Sequence, residues 1–292
     1  MKNRKIISAI LIILIPIIMI GCNKTDDNNK SDKDTQNTQV ETEKETDKTQ
    51  EKNMINTQSN EYKNLDLTKS PYKAGYYDYE GTINDKLKIR MSFYNKGDKL
   101  VGTYFYESQN KYIKIEGKAD DKSVILFEYS EDGKSSAVLQ GTMVPDDKIE
   151  GTWNDGTQKL SFSIRLTDII PEVEYGKRYS MATNVSDSNV EKFVEEIKAY
   201  VNNNDKNNIA KAISYPININ NKDEKILIKN QEDFLKNYDI IFTSEYKKSI
   251  EDSFTKYMFV NSQGVMIGDG LMWFNGATPE ETKAMKITAI NN

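Results

Sequence analysis

Residues 87–94 read Leu-Lys-Ile-Arg-Met-Ser-Phe-Tyr, and residues 160–167 read Leu-Ser-Phe-Ser-Ile-Arg-Leu-Thr. In both runs nearly every second side chain is apolar, which is the period of a β-strand with one buried face. Six further strand-like runs lie between Tyr76 and Trp153, separated by polar turns such as Asn95-Lys96-Gly97-Asp98. The pattern predicts eight strands joined by hairpins over residues 75–167.

Eight consecutive hairpin-linked strands favour an antiparallel meander, and closure into a barrel removes the exposed sheet edges. A Gly-Thr pair recurs in these strands, at Gly81-Thr82, Gly102-Thr103, Gly141-Thr142 and Gly151-Thr152. Glycine inside a strand marks a sharp bend or a bulge, which closure requires. The predicted fold of this part is therefore a closed antiparallel barrel.

The runs Leu100–Tyr104 and Gly151–Trp153 resemble strands of lipocalin-type or avidin-type barrels, and this resemblance implies architecture only. An eight-stranded barrel is either filled by its own side chains or holds one small ligand. Trp153 and the strand tyrosines are candidates for lining such a ligand site. The alternative is that these aromatic residues belong to the strand surfaces and the core.

A second, α+β domain is predicted over residues 188–292, after a connector at 168–187. Apolar residues from Val190 to Val201 follow helical spacing, and Ser188-x-x-Glu191 predicts a capping box at the helix start. A strand pair is expected around the turn 220–224. Asn230, with Asp233 three residues later, predicts the cap of a further helix, and strands are expected at 257–260, 265–274 and 284–290.

Three stretches of this part resemble the NTF2-like domain found in exported bacterial proteins. They are Tyr215-Pro216, the run 229–242 (KNQEDFLKNYDIIF) and the run 264–274 (GVMIGDGLMWF). The resemblance implies a cone in which a curved antiparallel sheet wraps around helices. Such domains include ketosteroid-isomerase-like enzymes, dehydratases, scaffolds and binding proteins, so the resemblance does not define a function.

Candidate catalytic carboxylates in this domain are Asp239, which follows Tyr238 near a predicted helix end, and Asp269, between two glycines in a predicted strand. Tyr215 and Trp273 are candidate ligand-binding neighbours. An aspartate base with a tyrosine donor needs no histidine. Alternatively, Asp239 accepts backbone hydrogen bonds where a helix stops, and Gly268-Asp269-Gly270 forms a bulge or turn.

The first 21 residues combine a basic tip with an apolar run, Ile6–Ile20, of fifteen residues. This run is shorter than the roughly 20 residues that span a bilayer, so it predicts a signal peptide. Met19-Ile20-Gly21-Cys22 resembles the bacterial lipoprotein signal, which implies cleavage before Cys22 and lipidation of its thiol. The alternative is an uncleaved signal anchor with an ordinary thiol at Cys22.

Residues 22–64 are polar, with few apolar side chains, and predict a disordered tether. Together with the lipid signal, this segment predicts a protein held on the extracytoplasmic face of the cell membrane. The membrane would be contacted through the N-terminal lipid. An alternative role for the tether is a tail that orders on a partner.

Composition excludes several classes of function. The chain has no histidine and a single cysteine, which removes histidine-based catalysis, thiolate catalysis outside Cys22 and the usual zinc ligands. A net charge of −5 without a basic patch argues against nucleic-acid binding. The acidic pairs Asp26-Asp27 and Asp146-Asp147 lack the spacing of a calcium loop, so we expect neither metal nor cofactor.

The sequence therefore predicts a mostly β protein with an α+β second domain, acting as a binding or interaction module in the cell envelope without catalysis. The partner is an envelope protein or a small ligand that the sequence does not identify. An alternative is a small-molecule enzyme of the NTF2-like type using aspartate and tyrosine. A third class is a spacer or scaffold in an envelope complex.

Overall fold

The computed structural model describes residues 62–221, 224–276 and 285–292. The predicted signal peptide, Cys22 and the tether up to residue 61 lie outside the described residues. None of the helices in the described ranges has the length and apolar character needed to cross a membrane.

Residues 75–171 form a closed antiparallel barrel of eight strands in chain order. The strands are β1 (Gly75–Ile83), β2 (Leu87–Asn95), β3 (Leu100–Tyr106), β4 (Ile113–Ala119), β5 (Ser123–Tyr129), β6 (Ser135–Val144), β7 (Lys148–Asn154) and β8 (Lys159–Pro171). The barrel and its strand count are confirmed. Strand β8 runs four residues beyond the predicted end at Thr167.

The middle of the barrel is filled by its own side chains. Each strand contributes apolar residues to one buried cluster, which includes Tyr79, Met91, Tyr104, Ile115, Leu126, Leu139, Ile149 and Phe162. Tyr72, which precedes β1, is also buried in this cluster, and its ring packs edge-on against Tyr77 and Phe93 with centroids 4.8 and 4.9 Å apart. Of the two alternatives for the interior, this part of the barrel has the filled form.

Three glycines of the Gly-Thr pairs, Gly81, Gly102 and Gly151, lie where backbones approach closely, whereas a Cβ at Gly141 would meet side chains. A Cβ added at Gly102 would be 2.1 Å from the carbonyl oxygen of Ser92, and one at Gly81 would be 2.0 Å from that of Ser163. The register shifts on these strands lie elsewhere, at Asp78/Tyr79 and Glu128/Tyr129. The glycines therefore permit close strand contact and do not mark the bulges.

The C-terminal half contains helices and a second sheet. The elements are α1 (Asp187–Asn202), α2 (Lys206–Ala212), β9 (Ile217–Asn221), β10 (Glu224–Ile228), α3 (Gln231–Ile241), α4 (Ser244–Asp252), β11 (Phe259–Asn261), β12 (Gly264–Ile267), β13 (Met272–Gly276) and β14 (Met285–Asn291). The six strands lie in the order β10-β9-β14-β13-β12-β11. One pair departs from the expected antiparallel pattern, since β14 runs parallel to β9.

Two local predictions in this half are wrong. Helix α1 begins at Asp187, two residues earlier than the capping box requires, and its N-cap Ser186 makes no side-chain cap bond. Ser188 is therefore inside the helix. The predicted strand 265–274 is divided by a turn at 268–271, where Gly268 and Gly270 have φ of 61° and 91°.

The predicted cap of α3 is confirmed. The Asn230 side chain accepts a hydrogen bond of 2.9 Å from the backbone N–H of Asp233. The Asp233 carboxylate in turn accepts one of 3.3 Å from the N–H of Lys229. This reciprocal arrangement satisfies two backbone donors at the helix start.

The outer face of the barrel shares a hydrophobic core with the C-terminal half. Barrel residues Tyr76, Tyr94 and Val101 belong to the same buried cluster as Val190 of α1 and Phe274 of β13. The barrel and the C-terminal half accordingly belong to one compact unit. The outer surface of β1–β3 is therefore an internal contact surface, and the candidate site lies along it.

Candidate functional site

Arg178, in the segment between β8 and α1, is buried against the outer face of the barrel, with 3% of its surface exposed. Its Nη1 donates to Oδ1 of Asp78 at 2.9 Å and to Oγ of Ser92 at 3.2 Å, and its Nη2 donates to Oδ2 of Asp78. Asp78 and Ser92 are paired directly across β1 and β2. Along their strands, both residues alternate with residues whose side chains point into the barrel. The Asp78 and Ser92 side chains therefore lie on its outer face.

Three tyrosine rings surround the Arg178 guanidinium. Its central carbon lies 5.4 Å from the ring centroid of Tyr76, 5.6 Å from that of Tyr257 and 5.8 Å from that of Tyr179. Burial opposes the charge, but the adjacent Asp78 carboxylate outweighs it and raises the pKa of Arg178. The guanidinium therefore remains charged, and aromatic faces stabilise it.

Glu191 of α1 lies next to this cluster and is partly buried. Its carboxylate accepts hydrogen bonds from the Tyr112 hydroxyl, at 2.9 and 3.0 Å, and from the Tyr179 hydroxyl at 3.2 Å. Burial raises the pKa of Glu191, although these hydrogen bonds and the charge of Lys256 act in the opposite direction. Burial also raises the pKa of both tyrosines, so they remain protonated donors.

Tyr257 joins the two halves of the molecule. Its hydroxyl shares a hydrogen bond of 2.6 Å with Oγ1 of Thr103 on β3, and its ring centroid is 5.3 Å from that of Phe105. The backbone of Tyr257 has a φ of 50°, a left-handed conformation that is uncommon for a bulky residue. The contacts with β3 hold the residue in this conformation.

The segment that carries Arg178 is fixed by the start of α1. The Asp187 carboxylate accepts hydrogen bonds from the backbone N–H groups of Arg178, at 2.9 Å, and Tyr179, at 3.2 Å. A carboxylate in the first turn of a helix is also stabilised by the helix dipole. The orientation of Arg178 is thus set by its backbone as well as by Asp78.

These residues enclose a cleft of about 300 Å³ between the barrel and the C-terminal half. Its lining includes four tyrosines, the buried arginine and the carboxylate described above: Tyr76, Tyr112, Tyr175, Tyr257, Arg178 and Glu191. An aromatic cleft with a few convergent polar groups is the usual form of a small-molecule site. We call it the tyrosine cleft.

A second cleft of about 280 Å³ lies at one end of the barrel. Its lining is mostly apolar, and the hydroxyls of Tyr72 and Tyr79 there bond to each other at 3.0 Å. The other polar side chains of this lining are Tyr77, Asp147 and Lys148, so the barrel-end cleft offers fewer groups for recognition than the tyrosine cleft.

The structure does not bring Tyr238 and Asp239 together in a pocket. Tyr238 is buried in the core of the C-terminal half and its ring stacks on Phe242, with centroids 4.8 Å apart. Burial raises the pKa of Tyr238 to about 12. The Asp239 side chain is 81% exposed and accepts a hydrogen bond of 2.8 Å from Lys206.

The other candidates of the C-terminal half also lie apart from the cleft. Asp269 is exposed in the turn between β12 and β13. The Tyr215 hydroxyl donates to the carbonyl of Ala210 at 2.9 Å, and the Trp273 ring packs edge-on against Phe259 with centroids 6.1 Å apart. These contacts account for both aromatic residues without a ligand.

Trp153 lies at one end of the barrel beside a carboxylate. Its Nε1 donates to Oε2 of Glu128 at 3.1 Å. The same carboxylate accepts hydrogen bonds from the hydroxyls of Tyr104, at 2.6 Å, and Ser136, at 2.7 Å. Three donors thus satisfy Glu128, and Trp153 helps to close this end of the barrel.

Sequence reasoning missed Arg178 and Glu191. Arg178 falls in the segment predicted as a connector, and Glu191 was assigned to a helix cap. One signal was available, since the sequence has only four arginines among its 40 basic residues. Arginine suits positions that need a planar, permanently charged donor, although the exposed Arg165 shows that rarity alone does not identify the site.

The described residues contain no group of three or more acidic side chains arranged to hold a metal ion. The two carboxylates that line the tyrosine cleft, Glu191 and Asp187, are bonded to tyrosine hydroxyls and to backbone N–H groups, and Asp78 behind them is bonded to Arg178. The arrangement is suited to hydrogen-bonded recognition of a small molecule.

Comparison with protein-family models, with curated proteins and with solved structures finds no match to this chain.

Proposed function

We propose that this protein is a lipid-anchored binding module of the cell envelope and that its ligand occupies the tyrosine cleft. The observation that carries the proposal is the cleft of about 300 Å³ in which tyrosine rings surround the buried Arg178 beside Glu191. Convergent polar groups held in place by neighbouring bonds are typical of binding sites.

The anchoring part of the proposal rests on residues 1–22. A lipid on Cys22 would attach the chain to the membrane, and the polar segment up to residue 64 would separate the folded part from it. In a bacterial host, Cys22→Ser should move the protein out of the membrane fraction and abolish incorporation of labelled palmitate. Membrane attachment of this variant equal to that of the unaltered chain would contradict the proposal.

The C-terminal half is proposed to be an NTF2-like cone. Support comes from the packing of helices on the six-stranded sheet, as in the contact of Phe193 with Phe274, whose ring centroids are 5.9 Å apart. One feature departs from the NTF2-like cone: β14 pairs with β9 in parallel, whereas the resemblance implies an antiparallel sheet.

Blocking the cleft with a large side chain tests whether it binds a ligand. Ser188 lines the cleft on the first turn of α1, whereas its exposed neighbour Asn189 is not among the lining residues. In a screen of small molecules, ligands of the cleft should raise the unfolding temperature of the unaltered chain and of Asn189→Trp, but not of Ser188→Trp. Hits that stabilise all three proteins equally would place binding elsewhere.

A second candidate function, acid–base catalysis, is favoured by one observation. Glu191 has a raised pKa and receives hydrogen bonds from two tyrosines that stay protonated. A carboxylate base with hydroxyl donors can abstract a proton next to a carbonyl group. Such an enzyme should exchange the α-protons of simple ketones in D₂O, and Glu191→Gln should abolish this exchange.

A further inference from the structure

We infer that the ligand of the tyrosine cleft is a neutral, hydroxylated ring, which in chemical class is a sugar. This inference rests on the proposed function, since it presupposes that the cleft binds a small molecule. It is carried by the charges already present around the tyrosine rings, by the hydrogen-bonding groups and by one half-exposed ring.

A cationic ligand is disfavoured because cations of the protein already lie beside the cleft tyrosines. Arg178 faces the rings of Tyr76 and Tyr257. Lys96 Nζ lies 4.1 Å from the ring centroid of Tyr175, and Lys256 Nζ lies 5.0 Å from the ring centroid of Tyr112. Each of the four cleft tyrosines thus has one of the protein's own cations near its ring, so an ammonium ligand would add like charge.

An anionic ligand is disfavoured for a different reason. The positive charge of Arg178 is balanced by Asp78 through two hydrogen bonds. Glu191 and Asp187 both line the cleft and would repel an anion. The cleft therefore has cations beside its rings and carboxylates in its wall, which suits a polar molecule without net charge.

The polar atoms of the lining can form hydrogen bonds with the hydroxyl groups of a ligand. Glu191 is a carboxylate acceptor, and Ser188, on the exposed first turn of α1, can donate or accept. The Nε–H of Arg178 is buried and has no acceptor among the described residues. A ligand oxygen that reached this donor would satisfy it, and a buried unsatisfied donor is costly.

Tyr175 is a half-exposed ring at the edge of the cleft, with Lys96 Nζ 4.1 Å from its centroid. It is 47% exposed, and its ring lies nearly parallel to that of Tyr76, with centroids 6.4 Å apart and an interplanar angle of 25°. The C–H groups of a pyranose pack against the exposed part of such a ring while its hydroxyls remain free for hydrogen bonds. The volume of about 300 Å³ is at the small end of ligand sites, which suits one or two rings.

The test is titration calorimetry of the purified full chain in a detergent that has no sugar headgroup. The probes are the methyl glycosides of glucose, galactose and N-acetylglucosamine, with choline and acetate as charged comparisons. At least one glycoside should bind saturably, and neither ion should. Tyr175→Ala should weaken this binding by roughly threefold to tenfold, whereas Tyr175→Phe should retain it.

Tyr129→Ala is the matched control, because Tyr129 is a barrel tyrosine outside the cleft lining. It should bind the glycoside as the unaltered chain does. Saturable binding of choline or acetate, with no glycoside bound, would overturn the sugar assignment but leave the cleft as a binding site. Glycoside binding that Tyr175→Ala leaves unchanged would also overturn the inference.

If no probe binds and Ser188→Trp blocks no ligand in the wider screen, the proposed function fails together with the inference. These outcomes separate the chemical class of the ligand from the existence of the site.

Discussion

At the scale of single residues, the Arg178–Asp78 pair is the most consequential contact of the molecule. Both side chains are at least nine-tenths buried. Arg178→Met would leave the Asp78 carboxylate buried without its partner, and such a change destabilises proteins by about 3–5 kcal/mol. We expect a loss of this size in the free energy of unfolding measured with urea.

The double variant Asp78→Asn/Arg178→Met should lose less than the sum of the two single variants, because no uncompensated charge remains. The exposed pair Glu232–Lys236 on α3, at 78% and 65% exposure, is the control, and its disruption should cost no more than about 0.5 kcal/mol. Equal losses for the buried and exposed pairs would contradict this account of Arg178.

Glu191 gives a prediction with a defined pH dependence. Its pKa in the folded protein is raised above the ordinary value of 4.5, so the carboxylate form opposes folding. This unfavourable contribution is absent below the unfolded pKa and reaches its full size above the raised pKa. Glu191→Gln, which carries no charge, should therefore gain stability relative to the unaltered chain as the pH rises through this range.

Thermal unfolding across roughly pH 4 to 8 measures this difference. The glutamine oxygen can still accept the hydrogen bonds of Tyr112 and Tyr179, so the variant retains those contacts. Glu195→Gln, at an exposed position of the same helix, should show no comparable trend. A difference for Glu191→Gln that shrinks as the pH rises would be the opposite of the expected sign.

At the scale of elements, the barrel depends on close approach between strands. A Cβ at position 102 would lie 2.1 Å from the Ser92 carbonyl oxygen. Gly102→Ala must push β3 away from β2, and we expect a destabilisation of about 1–3 kcal/mol in urea unfolding. Lys88→Ala, at an exposed position of β2, should stay within about 0.5 kcal/mol of the unaltered chain.

Helix caps provide a matched pair of variants. Asn230 caps α3 through a side-chain bond, whereas Ser186 at the N-cap of α1 makes none. Asn230→Ala should cost about 1 kcal/mol of stability, and Ser186→Ala should cost clearly less. Comparable losses at the two positions, measured by urea unfolding, would show that the cap bond of Asn230 contributes little.

Comparison of the barrel strands with helix α1 shows how much of the fold the sequence predicts. Alternation in 87–94 and 160–167 indicates strands because each barrel strand has one face in the filled interior. Helix α1 was predicted with a wrong start because Ser188 and Glu191 have the spacing of a cap, while the tertiary contacts of Glu191 with Tyr112 and Tyr179 use that carboxylate elsewhere.

Local sequence patterns could not predict the candidate site either, because the site depends on tertiary contacts. Its contacts join residues far apart in the chain, such as Arg178 with Asp78 and Thr103 with Tyr257. No spacing rule relates these positions. Asp239, by contrast, was singled out by its place after a tyrosine, and it lies on the surface.

At the scale of the whole molecule, the shared core predicts that the two halves unfold together. The chain has two tryptophans, Trp153 in the barrel and Trp273 in the second sheet. Fluorescence of the single-tryptophan variants Trp153→Phe and Trp273→Phe therefore reports on each half separately. The two urea curves should have the same midpoint after correction for each substitution, and separate midpoints would indicate independent domains.

The proposed binding function places the ligand in the cleft between the two halves. The most direct measurement is hydrogen–deuterium exchange of the full chain with and without a saturating methyl glycoside, resolved by peptide mass spectrometry. We expect slower exchange in peptides covering 100–104, 172–180 and 187–191, which contain residues that line the tyrosine cleft. Slower exchange confined to the barrel end around Glu128 and Trp153, with no change in those peptides, would contradict the assignment of the cleft as the binding site.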